Sequence, residues 1–407
     1  MHGIALGSPV KTPLLSSIDL AVGIPSYNSA RTIGYVIEQV AQGLARYFPD
    51  EDSLIIVSDG NSTDGTLDVA RRIRLPPRVQ RMATVYPGVP GKGSALLHVL
   101  GIAESLGAKA LAVVDSDLRS IKPEWMHLLL QPIVDGKGLV APYYLRHKYD
   151  GTITNNIAYP MTRALYGKRV RQPIGGDFGI SRRLIRTLLN SQLVSNEYTP
   201  RFGIDIFITH TTLSEGLEVV EAVLGSKIHD AKNPSAQLGS MFGQVTGSMF
   251  YCMTEYETAW RQIRRSKPVP RVKIEFDFPK PEPVPADLEN SLRAHKNGLS
   301  KYGALLKHVL PGDLWRPLAE QPDRVEDVSF PTDLWARIVY TFAAAFKKTQ
   351  GAIERKELLG ALEACWIGKV ASFVRETLES SDLEAEKKVI EESAIFEDEK
   401  PYLLGIY

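Results

Sequence analysis

Between residues 18 and 145, short apolar runs alternate with longer segments whose apolar residues return at helical spacing. "IDLAVGI" (18–24) predicts a buried strand, cut off by Pro25. In the next segment Ile33, Val36, Ile37, Val40 and Leu44 share one helical face, with Ser29 as the expected N-cap. "SLIIVSDG" (53–60) predicts a second strand, "STDGTLDVARRI" a helix and "RMATVYP" a weaker third strand. "GKGSALLHVLGIAESLG" predicts a helix opening from a glycine loop, and "ALAVVDSD" and "GLVAPYYL" (138–145) predict two further strands. Such alternation implies an α/β fold, a mostly parallel Rossmann-like sheet with helices on both faces. In these sheets ligands sit beyond the carboxyl ends of the strands. Those ends carry "PSYNSA", "SDGNSTDG" and "DSDLRS", which are expected to converge on one crevice.

From about residue 236 the strand pattern fades. Residues 235–265 predict one long helix, and the Pro- and Lys-rich stretch 266–285 predicts an extended connector, since its prolines forbid a long helix. Helical spacing then returns, with Leu334, Ile338, Phe342 and Ala345 on one face. The acidic stretch "DLEAEKKVIEESAIFEDEK" predicts a solvated helix and tail. The chain therefore divides into a sheet-bearing domain over 1–235 and a mainly helical subdomain over 236–407.

Composition narrows the function. The 48 Lys and Arg nearly cancel the 47 Asp and Glu, so no global basic field is present to grip nucleic acid. Cys252 and Cys365 lie far apart in no CxxC spacing, which argues against a disulfide framework or zinc site and suits a reducing cytoplasm. The N-terminal segment has no signal-peptide pattern, and no window approaches about 18 unbroken apolar residues, so a cytoplasmic protein without a membrane span is expected.

Candidate chemistry gathers at the strand ends. Asp115 and Asp117, one residue apart where an apolar run meets solvent, are suited to hold a divalent cation or to make a simple Asp turn. Asp59, at the end of the second strand, is placed to accept from the N–H of a base or to cap a helix. Lys92 sits on a glycine loop before a helix, where exposed amides and the helix N-terminus attract phosphate. The loop lacks GxxxxGK[ST] spacing, so it is no Walker loop. His229 follows an apolar run, and its imidazole suits either a metal site or a structural role. Gly175 and Gly176 permit close substrate approach to the backbone, or a tight turn. Asp205, inside an apolar helix-like run, requires a partner, whether in a crevice or in the core.

The ordered segments "GIPSYNSARTI", "SDGNSTDGT", "PGKGSAL", "VVDSDL", "QPIGGDFGISR", "GIDI" and "IHDAKNPSAQLGSM" resemble the GT-A-fold nucleotide-sugar glycosyltransferases over residues 18 to about 245. The last three segments resemble the retaining glucosyl-3-phosphoglycerate synthases and their mannosylglycerate synthase relatives. The resemblance implies a Mg²⁺ or Mn²⁺ cofactor, a UDP- or GDP-hexose donor and a small hydroxy-acid acceptor, glycerate or 3-phosphoglycerate. Pro25, Tyr27 and Asn28 would border the nucleotide and Asp59 its base. Lys92 would contact the diphosphate, and Asp115, Ser116 and Asp117 would contact ribose and metal. Asp117 and His229 would be the metal ligands, and Asp205 would lie near the sugar or acceptor hydroxyl. Arg146 would meet the acceptor's carboxylate or phosphate, with Gly175, Gly176 and Asp177 at the acceptor pocket and Asn233 touching the acceptor. Catalysis would fall to Asp205, Lys92 and Asp117.

This chain departs from the relatives in carrying Asp177 where they have Glu, and in following Arg146 with His147 and Lys148, cations that suit either a phosphorylated acceptor or a solvated loop. Competing readings are an inverting polyprenyl-phosphate sugar synthase, a sugar-phosphate nucleotidyltransferase and a non-catalytic binding protein on the same scaffold. The helical third is free either to form a homodimer interface or to cover the acceptor cleft.

Overall fold

The computed structural model describes residues 17–229, 234–320, 327 and 329–407. Among the described residues there are ten strands: β1 (Leu20–Ser26), β2 (Ser53–Asp59), β3 (Val79–Val85), β4 (Ala110–Val113), β5 (Leu139–Leu145), β6 (Lys168–Arg169), β7 (Phe178–Ser181), β8 (Val219–Ser226), β9 (Lys267–Pro268) and β10 (Arg271–Val272). Eight form one sheet in the order β10-β8-β5-β7-β4-β1-β2-β3, while β6 and β9 make a separate pair. Within the large sheet only β7 runs antiparallel to its neighbours. The expected mostly parallel sheet is thus present. β6, β9 and β10 have two residues each, too few for a pattern, and β7 lacks the unbroken apolar run that marks the equally short β4.

Period-2 alternation sorts the strand residues between two apolar layers. Leu20, Val22 and Ile24 of β1 and Ile55 and Val57 of β2 face the helices Ile33–Tyr47 and Glu124–Val134. Ala21, Leu54 and Ile56 face the other side, with Leu96, Val99 and Phe207 from the helices Lys92–Ser105 and Ile204–Ser214. Burial on both faces is why β1 and β2 read as continuous apolar runs.

Two local expectations are corrected. Pro25 does not end β1, which continues to Ser26. Beyond Gly23, paired to Val113, β1 has no β4 neighbour. Pro25 shares that side with Gly23, so its missing N–H deprives no ladder. Ser29 is not the N-cap, because the helix begins at Ile33 after Thr32. Ser29 instead ties three loops together. Its N–H donates to Thr66 Oγ1 at 2.8 Å, and its hydroxyl meets Ser116 Oγ at 2.9 Å.

The C-terminal third is helical, as expected. The long helix ends at Glu255, and a short one, Glu257–Arg261, follows. The Pro-rich connector contributes β9 and β10, the latter extending the central sheet beyond β8. A third apolar cluster crosses the expected boundary near 235. It joins Ile157, Met161 and Ile206 of the sheet-bearing part to Trp335, Phe342 and Leu362 of the helical part. The acidic stretch is also corrected. It forms the helix Asp382–Asp398, whose Val389 and Phe396 are buried and whose Glu386 and Glu397 pair with Arg171 and Arg163 at 2.7 and 2.9 Å.

Candidate active site

Sheet topology brings distant loops to one end. β1, β2, β4, β5 and β8 are parallel, so their carboxyl ends release Tyr27–Asn28, Gly60–Ser62, Asp115–Asp117, Arg146 and Lys227–His229 on the same side. β7 runs the other way, so its start delivers Gly175, Gly176 and Asp177 there too.

The loop after β4 is stitched to the loop after β8. Leu118 and His229 form an isolated antiparallel bridge. Beside it Arg119 N donates to Ile228 O at 2.8 Å, and Ile228 N to Ser120 Oγ at 2.9 Å. His229 thereby lies across from the Asp117–Leu118 step, with Asp117 half-buried and His229 exposed.

Behind this bridge sits a buried charge cluster. Lys92 Nζ lies 2.8 Å from Asp115 Oδ1 and 3.3 Å from Asp205 Oδ2. Lys227 Nζ lies 2.7 Å from Asp115 Oδ2 and donates to Asp177 Oδ2 and Gly175 O, both at 2.8 Å. Asp177 also accepts from Asp115 N at 2.9 Å and from the Tyr144 hydroxyl. Its side chain is fully buried, so it braces the Asp115 loop from within and presents no open oxygen to a small molecule. Burial opposes charge on Lys92, but Asp115 and Asp205 beside it hold the ammonium well above the usual lysine range. Burial likewise opposes ionisation of Asp115, and Lys227 and Lys92 outweigh it, holding the carboxyl far below the carboxylate range. Asp205 behaves differently. Burial pushes its carboxyl up, Lys92 draws it back only in part and Asp115 adds to the rise. Its Oδ1 is buried without a hydrogen-bond partner.

Glycine is required at the centre of this cluster. Gly176 has φ +89°, and a Cβ there would lie 2.7 Å from Asp115 Oδ2, 2.9 Å from Lys92 Nζ and 3.1 Å from Lys227 Nζ. At Gly175 a Cβ would lie 2.2 Å from Pro142 Cγ.

The glycine loop before Lys92 does not offer the amide cradle expected of it. Gly91 N donates to the Tyr86 hydroxyl at 2.9 Å, Gly93 N to Arg201 O at 3.0 Å and Ser94 N to Pro200 O at 2.8 Å. The glycines serve close packing, since a Cβ at Gly93 would fall 1.9 Å from Thr199 O. The positive charge remaining at this loop is that of the Lys92 side chain.

Towards β2, Asp59 is fully buried and accepts from Ser26 Oγ and Ser62 Oγ on Oδ2 and from Ser62 N on Oδ1, each at 2.7 Å. Asn28, at φ 49°, donates from its backbone N–H to Ser62 Oγ at 2.7 Å and accepts from Thr63 N on its side-chain Oδ1 at 3.0 Å. These bonds join the β1 and β2 loops, with Tyr27 57% exposed at their rim.

On the opposite side, Arg146 Nη1 donates to Asp150 Oδ2 at 3.1 Å, and its guanidinium lies 5.4 Å from the Tyr144 ring centre. Its Nε is buried without a hydrogen-bond partner. Despite burial, Arg146, His229 and Lys227 hold the Asp150 carboxyl below its usual range. The two cations suited to a phosphorylated acceptor are committed elsewhere. Lys148 Nζ donates to Thr377 O, Leu378 O and Ser380 O at 2.7, 2.8 and 2.7 Å, and His147 Nδ1 accepts from Val284 N at 3.2 Å. Asn233 lies outside the described residues.

Lys227 was not legible in the sequence. It stands two residues before His229 in the same string, but only its non-local pairing with Asp115 and Asp177 marks it.

Residues 21–190 match the family model Glycosyl transferase family 2. With the sheet topology above, they define a GT-A-type glycosyltransferase domain, and the protein is a glycosyltransferase. Glucosyl-3-phosphoglycerate synthase of Petrotoga mobilis is 22% identical to the chain over 265 residues, covering 61% of this chain and 77% of that protein. A crystal structure of glucosyl-3-phosphoglycerate synthase from Mycobacterium tuberculosis, in complex with Mn²⁺, UDP and glucosyl-3-phosphoglycerate, is 26% identical with a TM-score of 0.46, covering 58% of this chain and 80% of that one. A second, in complex with Mn²⁺, UDP-glucose and phosphoglyceric acid, is 27% identical with a TM-score of 0.46 and covers 58% and 79%. Among the described residues no helix is long and apolar enough to cross a membrane.

Proposed function

We propose that this chain transfers glucose from UDP-glucose to the 2-hydroxyl of 3-phosphoglycerate, with retention of configuration and dependence on Mg²⁺ or Mn²⁺. The observation that carries the reading is the Leu118–His229 bridge, which brings the His229 backbone beside the residue that follows Asp117, in front of a Lys92–Asp205 pair whose Asp205 Oδ1 is buried and unpartnered. Similarity to the Petrotoga glucosyl-3-phosphoglycerate synthase over 77% of its length supports the choice of the glucosyl group and of the acceptor.

The donor set fits such a cation. The carboxylate suits either Mg²⁺ or Mn²⁺, and the imidazole, a softer donor, favours the transition metal Mn²⁺ of the two. Among the described residues no three carboxylate, imidazole or thiol groups gather into a fuller cage. Two protein ligands at Asp117 and His229 leave positions open for diphosphate oxygens. When bound, the ion supplies a Lewis acid that neutralises the leaving diphosphate.

The remaining work belongs to the chain. Lys92, kept charged by Asp115 and Asp205, adds fixed positive charge beside the diphosphate. Asp205 Oδ1 accepts from a hydroxyl of the bound sugar or acceptor. Asp59, fully buried and bonded to Ser26 and Ser62, is a positioning residue that fixes the β1 and β2 loops bordering the uracil base. Arg146, with its spare Nε, takes the acceptor's anionic group. Lys227 and Asp177 are positioning residues that fix Asp115 and the Gly175–Gly176 turn. The acceptor hydroxyl attacks on the face that the diphosphate leaves, and its proton passes to the departing oxygen.

The test is a matrix of UDP-glucose, GDP-glucose and GDP-mannose against 3-phosphoglycerate and D-glycerate, with and without EDTA. An α-linked glucosyl-3-phosphoglycerate formed from UDP-glucose, and lost with EDTA, is the expected product. A β-linked product, or equal turnover in EDTA, refutes the reading.

A further inference from the structure

We infer that Lys148 is a positioning residue for the acceptor side of the site, fastening the loop that carries Arg146 to the turn between two C-terminal helices. The inference rests on the reading of Arg146 as the acceptor contact.

The loop after β5 leaves the sheet at Leu145 and runs through Arg146 to Gly151. At its middle, Lys148 Nζ donates to three carbonyls, Thr377, Leu378 and Ser380, at 2.7 to 2.8 Å. These follow the helix Ala352–Glu376, where the last carbonyls lack intrahelical partners and the helix dipole favours a cation. The backbone of Lys148 is held as well, its N–H donating to Asp382 Oδ1 at 2.9 Å. Asp382 opens the next helix, Asp382–Asp398. One lysine therefore grips both sides of the turn.

A second bridge restrains the same region. Arg171 binds Glu386 through Nε and Nη2 at 2.8 and 2.7 Å. The same Nη2 donates to Asn155 Oδ1 at 2.8 Å, and Asn155 Nδ2 donates to Asp150 O at 3.3 Å. Asp150 is the carboxylate that orients Arg146. Arg146 thus sits between two anchors on the helical third. Its Nε is buried and unpartnered, as suits a guanidinium held ready for an anionic ligand. These four bonds of Lys148 run to the helical third and not to the Asp59 loop, the Asp115–Asp117 loop or Lys92. Its influence therefore falls on acceptor binding and spares the donor.

The test compares the full chain with Lys148→Met, Lys148→Arg and, from the other side of the contact, Asp382→Asn. Hydrogen exchange of residues 146–151 should accelerate in Lys148→Met and Asp382→Asn, while residues 53–62 stay unchanged. With UDP-glucose and 3-phosphoglycerate, the acceptor KM should rise by about tenfold or more in Lys148→Met, the scale of losing hydrogen bonds to a charged group. The KM for UDP-glucose should stay within about twofold, and Lys148→Arg should recover part of the loss. Unchanged exchange over 146–151, or donor and acceptor KM rising together, overturns the inference. If the wild type makes no glucosyl-3-phosphoglycerate, the substrate reading fails by itself, and the exchange measurement still decides the role of Lys148.

Discussion

Replacing Gly176 with alanine loads two costs onto one atom. The residue has φ +89°, where an L side chain is strained by roughly 1–2 kcal/mol. The added Cβ would also lie 2.7 Å from Asp115 Oδ2, where ordinary contact begins near 3.4 Å, so the carboxylate must retreat. Asp115 is held by ion pairs of 2.8 Å to Lys92 and 2.7 Å to Lys227. Stretching one such pair by about 0.7 Å at an effective dielectric near 20 costs on the order of 1 kcal/mol. Two pairs and the backbone strain together give about 3–4 kcal/mol. Gly216→Ala is the matched control, because Gly216 has φ +66° and nothing lies within 4 Å of its Cβ position. It should lose the backbone cost alone, about 1–2 kcal/mol. Urea denaturation of both variants, followed by near-UV circular dichroism, measures the difference, and transfer assays report the site. Gly176→Ala should lose about twice as much stability as Gly216→Ala, and kcat/KM should fall by about 10² as the charge cluster shifts. Equal losses in both variants, with turnover intact in Gly176→Ala, would show that the cluster is loose and that the glycine serves only the turn.

Asp117→Asn and His229→Ala should each cut Mn²⁺-dependent transfer by at least about 10², with the denaturation midpoint nearly unmoved; full activity in either removes that residue from the proposed metal site. Lys227→Met leaves Asp177 buried without its cation, so stability should drop by about 3–5 kcal/mol in denaturant titrations. A loss below about 1 kcal/mol would contradict the buried pairing. Asp205 has a carboxyl raised in the folded state, so the native protein binds more protons than the unfolded chain just above the ordinary carboxylate range. Wild-type stability therefore falls as pH rises through that window, and Asp205→Asn escapes the fall. Thermal melting from pH 3.5 to 8, run as about ten steps, should show the two proteins alike at the acid end and the variant ahead at neutrality. A variant less stable at neutral pH reverses the sign and refutes the assignment.

The sheet was legible because its parallel strands are buried on both faces and appear as unbroken apolar runs, each followed by a helical period. The same logic put Asp59, Asp115, Asp117 and His229 at strand ends. What escaped was non-local or short. β7 is as short as β4 but reads FGIS, broken by a glycine where β4 has an unbroken apolar run, although its start delivers Gly176 and Asp177. Lys227 is defined by partners more than 50 positions away or exactly that far, at Asp115 and Asp177. The glycine loop before Lys92 has the composition of an anion cradle, but the segment Pro200–Arg201 occupies its amides, a tertiary event no local string records. Lys148 stood beside Arg146 as a second cation for the acceptor, and the folded chain spends it on a helix end. The acidic stretch near the C-terminus was read by composition, whereas its buried Val389 and Phe396 and its pairs with Arg163 and Arg171 make it part of the core.

The central claim is that loops from β1, β2, β4, β5 and β8 build one site, with Asp117 and His229 jointly holding a divalent ion against a nucleotide diphosphate. A crystal grown with MnCl₂ and UDP, measured at the manganese edge, tests it directly. The account predicts an anomalous peak bonded to both Asp117 and His229 and to diphosphate oxygens, with the base beside Asp59. A manganese ion bound elsewhere, or UDP seated away from the Asp115–Asp117 loop, contradicts it.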